Sequence, residues 1–334
     1  MARSRLIPDN FTLALAGTVT LASLFPVSGA WAGLFEQITT AAISLLFFLH
    51  GAKLSRQAVI AGIAHWRLHL LVVASTFAVF PLLGWMLRPL LQPLVTPELY
   101  MGVLFLCALP ATVQSAIAFT AMARGNMPAA ICSASGSTLM GIVITPLLVS
   151  LLLSRQAQAS DPWSAIGHIT LQLFVPFLAG HLLRPWIGKF VFQRAAVLKL
   201  VDQGSILLVV FTAFSAAVRE GLWHQMPLRS LLGLLVVCAA ILTIALAFTT
   251  WISRRLGFSK EDEITIVFCG SKKSLASGVP MAKVLFASHT VGVIVLPLML
   301  FHQMQLMVCA VLAQRYARRP QVEPKPHAVG ATAH

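Results

Sequence analysis

The stretch ITIVFCGSKKSLASGVPMAK, residues 264–283, decides how the whole chain is read. Apolar residues run from Ile264 to Phe268 and again from Leu275 to Phe286, as in a helix lying in hydrocarbon. Between them stand Ser271, Lys272, Lys273 and Ser274, directly after Gly270, and a second pair of breakers follows at Gly278 and Pro280. An ammonium group at a bilayer centre costs at least about 2.5 kcal/mol, so two adjacent lysines are not there for packing alone. Adjacent helical residues differ in direction by about 100°, so only one lysine points straight into a shared cavity unless the backbone is unwound. The spacing predicts a helix broken near mid-membrane. The same reading applies to ALPATVQSAIAFTAMARGN, residues 108–126, where Pro110 interrupts the helix and Thr112, Gln114 and Ser115 follow. Such a break presents a half-helix N-terminus, whose free N–H groups and dipole attract anions, beside unwound carbonyls that coordinate cations.

Working outward, the remainder of the chain is hydrocarbon-compatible. Of its 334 residues 58% are hydrophobic and only 10% are charged, against roughly 25% charged in an ordinary soluble domain. A soluble globule would need a surface built of Leu, Val, Ala and Phe, which excludes a soluble enzyme or cytosolic binding module. Ten apolar windows are long enough to span a bilayer core of about 30 Å: 11–28, 33–52, 66–87, 99–122, 128–153, 165–183, 203–219, 230–252, 263–284 and 289–314. Tryptophans sit near many of their ends, as expected of an aromatic belt. The five cysteines lie inside apolar runs without metal-ligand spacing and read as core residues.

The net charge of +14 reflects topology. With a cytoplasmic N-terminus, seventeen basic residues fall inside and five outside (Arg88, Arg155, Arg219, Arg229 and Lys283), and an even number of spans returns the C-terminus to the cytoplasm. Basic residues spread over separate connectors form no groove for nucleic acid. Residues 1–32 also have the layout of a cleavable signal peptide ending at Ala30-Trp31-Ala32, and the charge count fits an uncleaved first helix equally well. Residues 319–334, rich in Pro, Ala and His, read as a disordered cytoplasmic tail.

Gln114-Ser115-Ala116-Ile117-Ala118 lies over Lys273-Ser274-Leu275-Ala276-Ser277 at an offset of 159 residues. Each motif falls in the fourth helix of a five-helix half. Five is odd, so the halves have opposite orientation, the inverted-repeat plan of many secondary transporters. The chain is expected to be an all-α polytopic membrane protein, a single transmembrane domain over residues 1–318 with one repeat at about 9–155 and the other at about 163–316.

The stretch PATVQSAIAFTAMARGNMPAAICSASGSTLMGIVITPLL, beginning at Pro110, resembles the core motif of the bile acid:sodium symporter family. The ninth-span CGSKKSLASGVPMA resembles an orphan branch of that family, which has bacterial members and animal relatives linked to calcium homeostasis. The likeness covers about Asp9 to Arg318. It implies ten helices arranged as a panel (helices 1, 2, 6 and 7) and a core (helices 3 to 5 and 8 to 10), with helices 4 and 9 crossing at their breaks. It also implies two sodium ions bound there by a Ser-Asn pair in helix 4, Ser and Thr in helix 5, and a Glu with a Gln-Asn pair in helix 9. Carried onto this chain, the Ser-Asn pair falls on Gln114-Ser115 or Ser115-Ala116. The helix 5 ligands fall on Ala130 and Ala134, with Ser135, Ser137 and Thr138 nearby, the Glu on Cys269-Gly270, and the Gln-Asn region on Lys272, Lys273 and Ser274. An anionic ligand is lost and two ammonium groups are gained, which inverts the local electrostatics. A lysine ammonium, fixed or titrating, then stands where sodium would.

The residues expected to bind solute or ion are Thr112, Gln114, Ser115, Ser135, Ser137, Thr138, Ser271, Lys272, Lys273 and Ser274. No resident cofactor or metal is expected, only Na+ or H+ as a coupling ion. Glu36 reads as an interfacial carboxylate, Glu261, Asp262 and Glu263 as dipole-complementing acids at a helix N-terminus, His302, Gln303 and Gln305 on the tenth span as satisfied by an inter-helix hydrogen bond rather than lining the core, and His50 and His181 as interfacial. The leading function is secondary transport of a small, anionic organic solute in a bacterial inner membrane, by a monomer or homodimer. The alternative is a membrane regulator linked to calcium homeostasis without transport of its own. An intramembrane Ser/Lys hydrolase is disfavoured, since neither HExxH nor a membrane Asp pair is present.

Overall fold

A computed structural model describes residues 10–53, 65–91, 93–153, 167, 170–221, 227–286 and 288–319. Arg3, Arg5, Arg56, Arg155, Lys325 and residues 320–334 of the expected tail lie outside them. Every regular element among the described residues is a helix, and no strand occurs among them. In chain order the helices are α1 (Asn10–Leu24), α2 (Ala30–Lys53), α3 (Trp66–Ala74), α4 (Phe80–Met86), α5 (Arg88–Leu91), α6 (Pro97–Ala108), α7 (Gln114–Met122) and α8 (Met127–Leu153). They continue with α9 (Val175–Gln193), α10 (Ala195–Arg219), α11 (Leu228–Arg255), α12 (Lys260–Gly270), α13 (Leu275–Leu285) and α14 (Ser288–Ala317). π-helical stretches at Ser75–Val79 and Thr170–Phe174 precede α4 and α9. Among the described residues, six helical segments are long and apolar enough to cross a membrane: Ala30–Lys53, Trp66–Met86, Met127–Leu153, Ala196–Arg219, Leu228–Arg255 and Thr290–Ala317.

Several boundaries differ from the hydropathy windows for a physical reason. The window at 203–219 belongs to a helix that begins at Ala195, because Lys199, Asp202 and Gln203 are polar residues inside a helix rather than its flank. The window at 165–183 belongs to a helix reaching Gln193. Arg319, expected to open a disordered tail, is anchored: its guanidinium donates to Arg124 O at 2.8 Å and to Glu261 at 2.6 Å.

The helices contact one another as two groups, α1, α2, α9 and α10 in the first and the remaining helices in the second. In the first, α2 and α9 approach backbone to backbone at reciprocal glycines: a Cβ on Gly51 would fall 1.9 Å from Phe177 O, and one on Gly180 1.9 Å from Phe48 O. Small residues permit this closeness where apolar area alone gives no drive for association in lipid. The helix α10 packs on α1 and α2 and also meets α13 and α14 of the second group. One continuous apolar core, including Phe47, Phe105, Phe214 and Phe301, runs through both groups.

Candidate functional site

The site is built on two interruptions. Thr96 caps the start of α6, accepting from Leu99 N, and Pro97 occupies the first turn, where its missing N–H costs nothing. The helix ends at Ala108, just before Pro110, and α7 begins at Gln114. Between α12 and α13 the chain is non-helical from Ser271 to Ser274. The two interruptions touch: Ser274 N donates to Pro110 O at 3.0 Å.

Three carbonyls at the first interruption, those of Cys107, Ala108 and Leu109, have partners from elsewhere. Cys107 O would normally bond Ala111 N, but that N–H donates to Ser137 Oγ at 2.9 Å. Ala108 O accepts from Thr145 Oγ1 at 2.9 Å. Cys107 O and Leu109 O both accept from Lys273 Nζ, at 2.8 and 2.7 Å. The third proton of Lys273 goes to Thr76 O at 2.8 Å. That carbonyl is orphaned by the π-helical register: Phe80 N donates to Ser75 O instead, and Pro81 has no N–H to offer. The ammonium is fully buried, lies 4.2 Å from the Phe80 ring centroid and caps the negative end of α6. Gln305 fixes the Lys273 backbone, accepting from its N–H and donating to its carbonyl, both at 2.9 Å, and its amide also reaches His302 Nδ1 at 2.8 Å. The expected inter-helix role of Gln305 is therefore met.

Lys272 is held quite differently. It is equally buried, yet its Nζ reaches one hydrogen-bond partner, Ser115 Oγ at 3.5 Å, and otherwise faces the rings of Phe119 and Phe268 at 4.5 and 5.4 Å. Ser115 is in turn hydrogen-bonded to Thr112 Oγ1. Ser115 and Thr112 line a cavity of about 380 Å³, so this short chain of hydroxyls connects the buried ammonium to it.

Both interruptions supply that cavity. Thr112, Gln114 and Ser115 come from the start of α7, and Ser274 and Ser277 from the start of α13. Ser274 caps α13, accepting from Ser277 N at 3.1 Å, whereas no side chain caps α7. A neighbouring cavity of about 200 Å³ shares Gln114, His50 and Asp202 with the first and adds Ser135, Thr138 and Lys53. Of the ten residues singled out from the sequence, Thr112, Gln114, Ser115, Ser135, Thr138 and Ser274 line these cavities. The other four stand in the wall behind: Ser137 pins Ala111, Ser271 donates to Val267 O in its own helix at 2.5 Å, and the two lysines are buried as described.

The opposite wall was not anticipated. Asp202 is 5% exposed and pairs with Lys53 at 2.5 Å, joining α10 to the end of α2, and Lys199, His50 and His302 also line the cavity. Lys53 and Lys199 count as topology-setting charges in the sequence; the available signal was a lone carboxylate, Asp202, beside an apolar window. The acidic trio in the first turn of α12 is fully engaged: Glu263 accepts from Arg254, Lys260 and Tyr316, Asp262 from Asn126, and Glu261 from Arg319.

Four of the positions onto which the resemblance carried sodium ligands come together. Ala116, Ala130, Ala134 and Cys269 meet, with Leu68, Val72 and Ile266, in one apolar cluster, and none of the four has a side-chain oxygen.

Residues 9–318 match the model of the SBF-like CPA transporter family. The chain belongs to that family. An uncharacterized protein of Pseudomonas aeruginosa is 69% identical over 96% of each chain. A protein of Escherichia coli named "Putative symporter YfeH" is 56% identical over 94% of this chain and 95% of its own. The sodium/bile acid cotransporter 7 of Rattus norvegicus is 28% identical over 92% of each. The helical membrane architecture and the transporter family thus agree with the reading of the sequence, and within this SBF-like CPA transporter chain the paired interruptions are the feature that concentrates polar groups.

Proposed function

We propose that this chain is a secondary active transporter that moves a small anionic organic solute by alternating access, without sodium, in a bacterial inner membrane with both termini cytoplasmic. Ten spans form two inverted five-helix repeats in one domain over residues 1–318. In this arrangement α1, α2, α9 and α10 are a panel that moves against a core of the other helices, and the core's two broken helices cross at 109–113 and 271–274.

The observation that carries the proposal is that the first turns of α7 and α13 line one cavity. Two helix N-termini aimed at one space attract negative charge, and α7 has its first N–H groups free of a side-chain cap. Sodium independence is supported by the apolar cluster at Ala116, Ala130, Ala134 and Cys269 and by Lys273, whose ammonium sits among carbonyls as a coordinated monovalent cation would. Lys273 is the fixed charge. Lys272, with its weak bond and its hydroxyl path to the cavity, is the group that exchanges a proton during the cycle.

A thermal-shift screen of carboxylates and sulfonates, followed by counterflow of the stabilising compound in proteoliposomes, tests the proposal. Counterflow of an anion but not of its neutral amide analogue is expected. Binding without any flux contradicts transport.

A further inference from the structure

Away from the cavity, a groove of about 1030 Å³ runs between the C-terminal halves of α11 and α14. Its floor and walls are apolar, and Trp251, Met307 and Val311 are 60%, 57% and 51% exposed along it. At one end it finishes in three arginines, Arg254, Arg255 and Arg315, on the last turns of the two helices. Arg254 is committed to Glu263 through two N–H groups. Arg255 and Arg315 are exposed and have no carboxylate partner among the described residues. Trp251, one turn inside Arg255, is the residue type that sits at head-group level, so the arginines lie at the membrane surface and the groove in the acyl region.

We propose that this groove is a binding site for an anionic phospholipid, with acyl chains along α11 and α14 and the phosphate held by Arg255 and Arg315. Guanidinium groups bind phosphate in bidentate fashion, and basic pockets between spans on the cytoplasmic side suit anionic head groups. A second copy of this chain is the poorer occupant. An axis along the membrane normal brings the same arginines of both copies to the same depth, setting like charges against each other. The site is independent of the solute cavity, so it stands or falls separately from the transport proposal.

Native mass spectrometry of the full-length protein, released from nanodiscs of equal phosphatidylglycerol and phosphatidylethanolamine, reads the site directly. The wild type is expected to retain phosphatidylglycerol selectively, and the Arg255→Gln, Arg315→Gln double variant to retain it about tenfold less. A melting temperature raised by phosphatidylglycerol and not by inorganic phosphate identifies the lipid as the source of the anion; equal stabilisation by phosphate overturns that assignment. Equal lipid retention by both proteins, or a dimer that cross-links through a cysteine placed at Met307 and carries no lipid, overturns the proposal. A folded variant with wild-type melting behaviour in phosphatidylethanolamine alone is the check that the arginines are not needed for folding.

Discussion

Lys283 Nζ donates to Glu36 Oε1 at 2.8 Å, tying the end of α13 to α2. The cavity beside the two interruptions lies toward the other end of α2, at His50 and Lys53, about 25 Å along the helix axis from Glu36 at 1.5 Å per residue. In the proposed arrangement the pair latches panel to core on the external side. Lys283 is 6% exposed by side chain and Glu36 52%, so the latch is half-wet and is worth up to about 1 kcal/mol. In Lys283→Met the outward-open population rises up to about fivefold. The readout is the rate at which a membrane-impermeant maleimide, added outside, modifies a cysteine placed at Ser215, a buried residue beside the latch. An unchanged rate contradicts the latch.

The two adjacent lysines are expected to fail in opposite ways. Replacing Lys272 with Met removes a buried charge that has one long hydrogen bond and fits the side chain between two aromatic rings. Such exchanges are often neutral or stabilising, so the unfolding free energy changes by less than about 1 kcal/mol while transport is lost. Thermal melts and counterflow on the same preparation check both halves.

Replacing Lys273 with Ala strands the carbonyls of Thr76, Cys107 and Leu109 in a buried site. Each unpaired group costs about 1–3 kcal/mol, so a loss of about 3 kcal/mol or more is expected, seen as a lower melting temperature. The vacated carbonyls form a cation cage. Sodium chloride is accordingly expected to raise the melting temperature of Lys273→Ala more than choline chloride does, and to treat the wild type no differently from choline.

Gly141 packs on the first interruption, where an added Cβ would fall 2.7 Å from Pro110 Cβ and 2.8 Å from Pro110 Cγ. A proline ring cannot swing aside. Gly141→Ala therefore displaces the 109–113 segment, with a cost of about 1–3 kcal/mol and loss of solute binding in the thermal-shift assay. Gly136→Ala, which meets open space in the same helix, is the control and is expected to behave as wild type.

The interruptions themselves were legible in the sequence, because Pro110 and the Gly270-to-Ser274 run carry local signals that hydrocarbon makes unambiguous. What each lysine does was not. The acceptors of Lys273 include Thr76 O, which is available only because a π-helical register and Pro81 together deprive it of an N–H, and no local pattern announces that register. Nor does local sequence reveal Asp202 with Lys53, a pair 149 residues apart. His50, read as interfacial, lines both cavities because α2 continues to Lys53. Hydropathy windows end where polarity begins, and in this chain the polar ends of α2 and α10 are part of the cavity wall.

The central claim is that a lysine ammonium stands in the place of sodium, and the most direct measurement is counterflow by the wild-type protein in proteoliposomes with sodium on both sides or with choline on both sides. Equal rates in the two salts, together with loss of flux in Lys272→Met, are the expected result. Strict dependence on sodium would contradict the account.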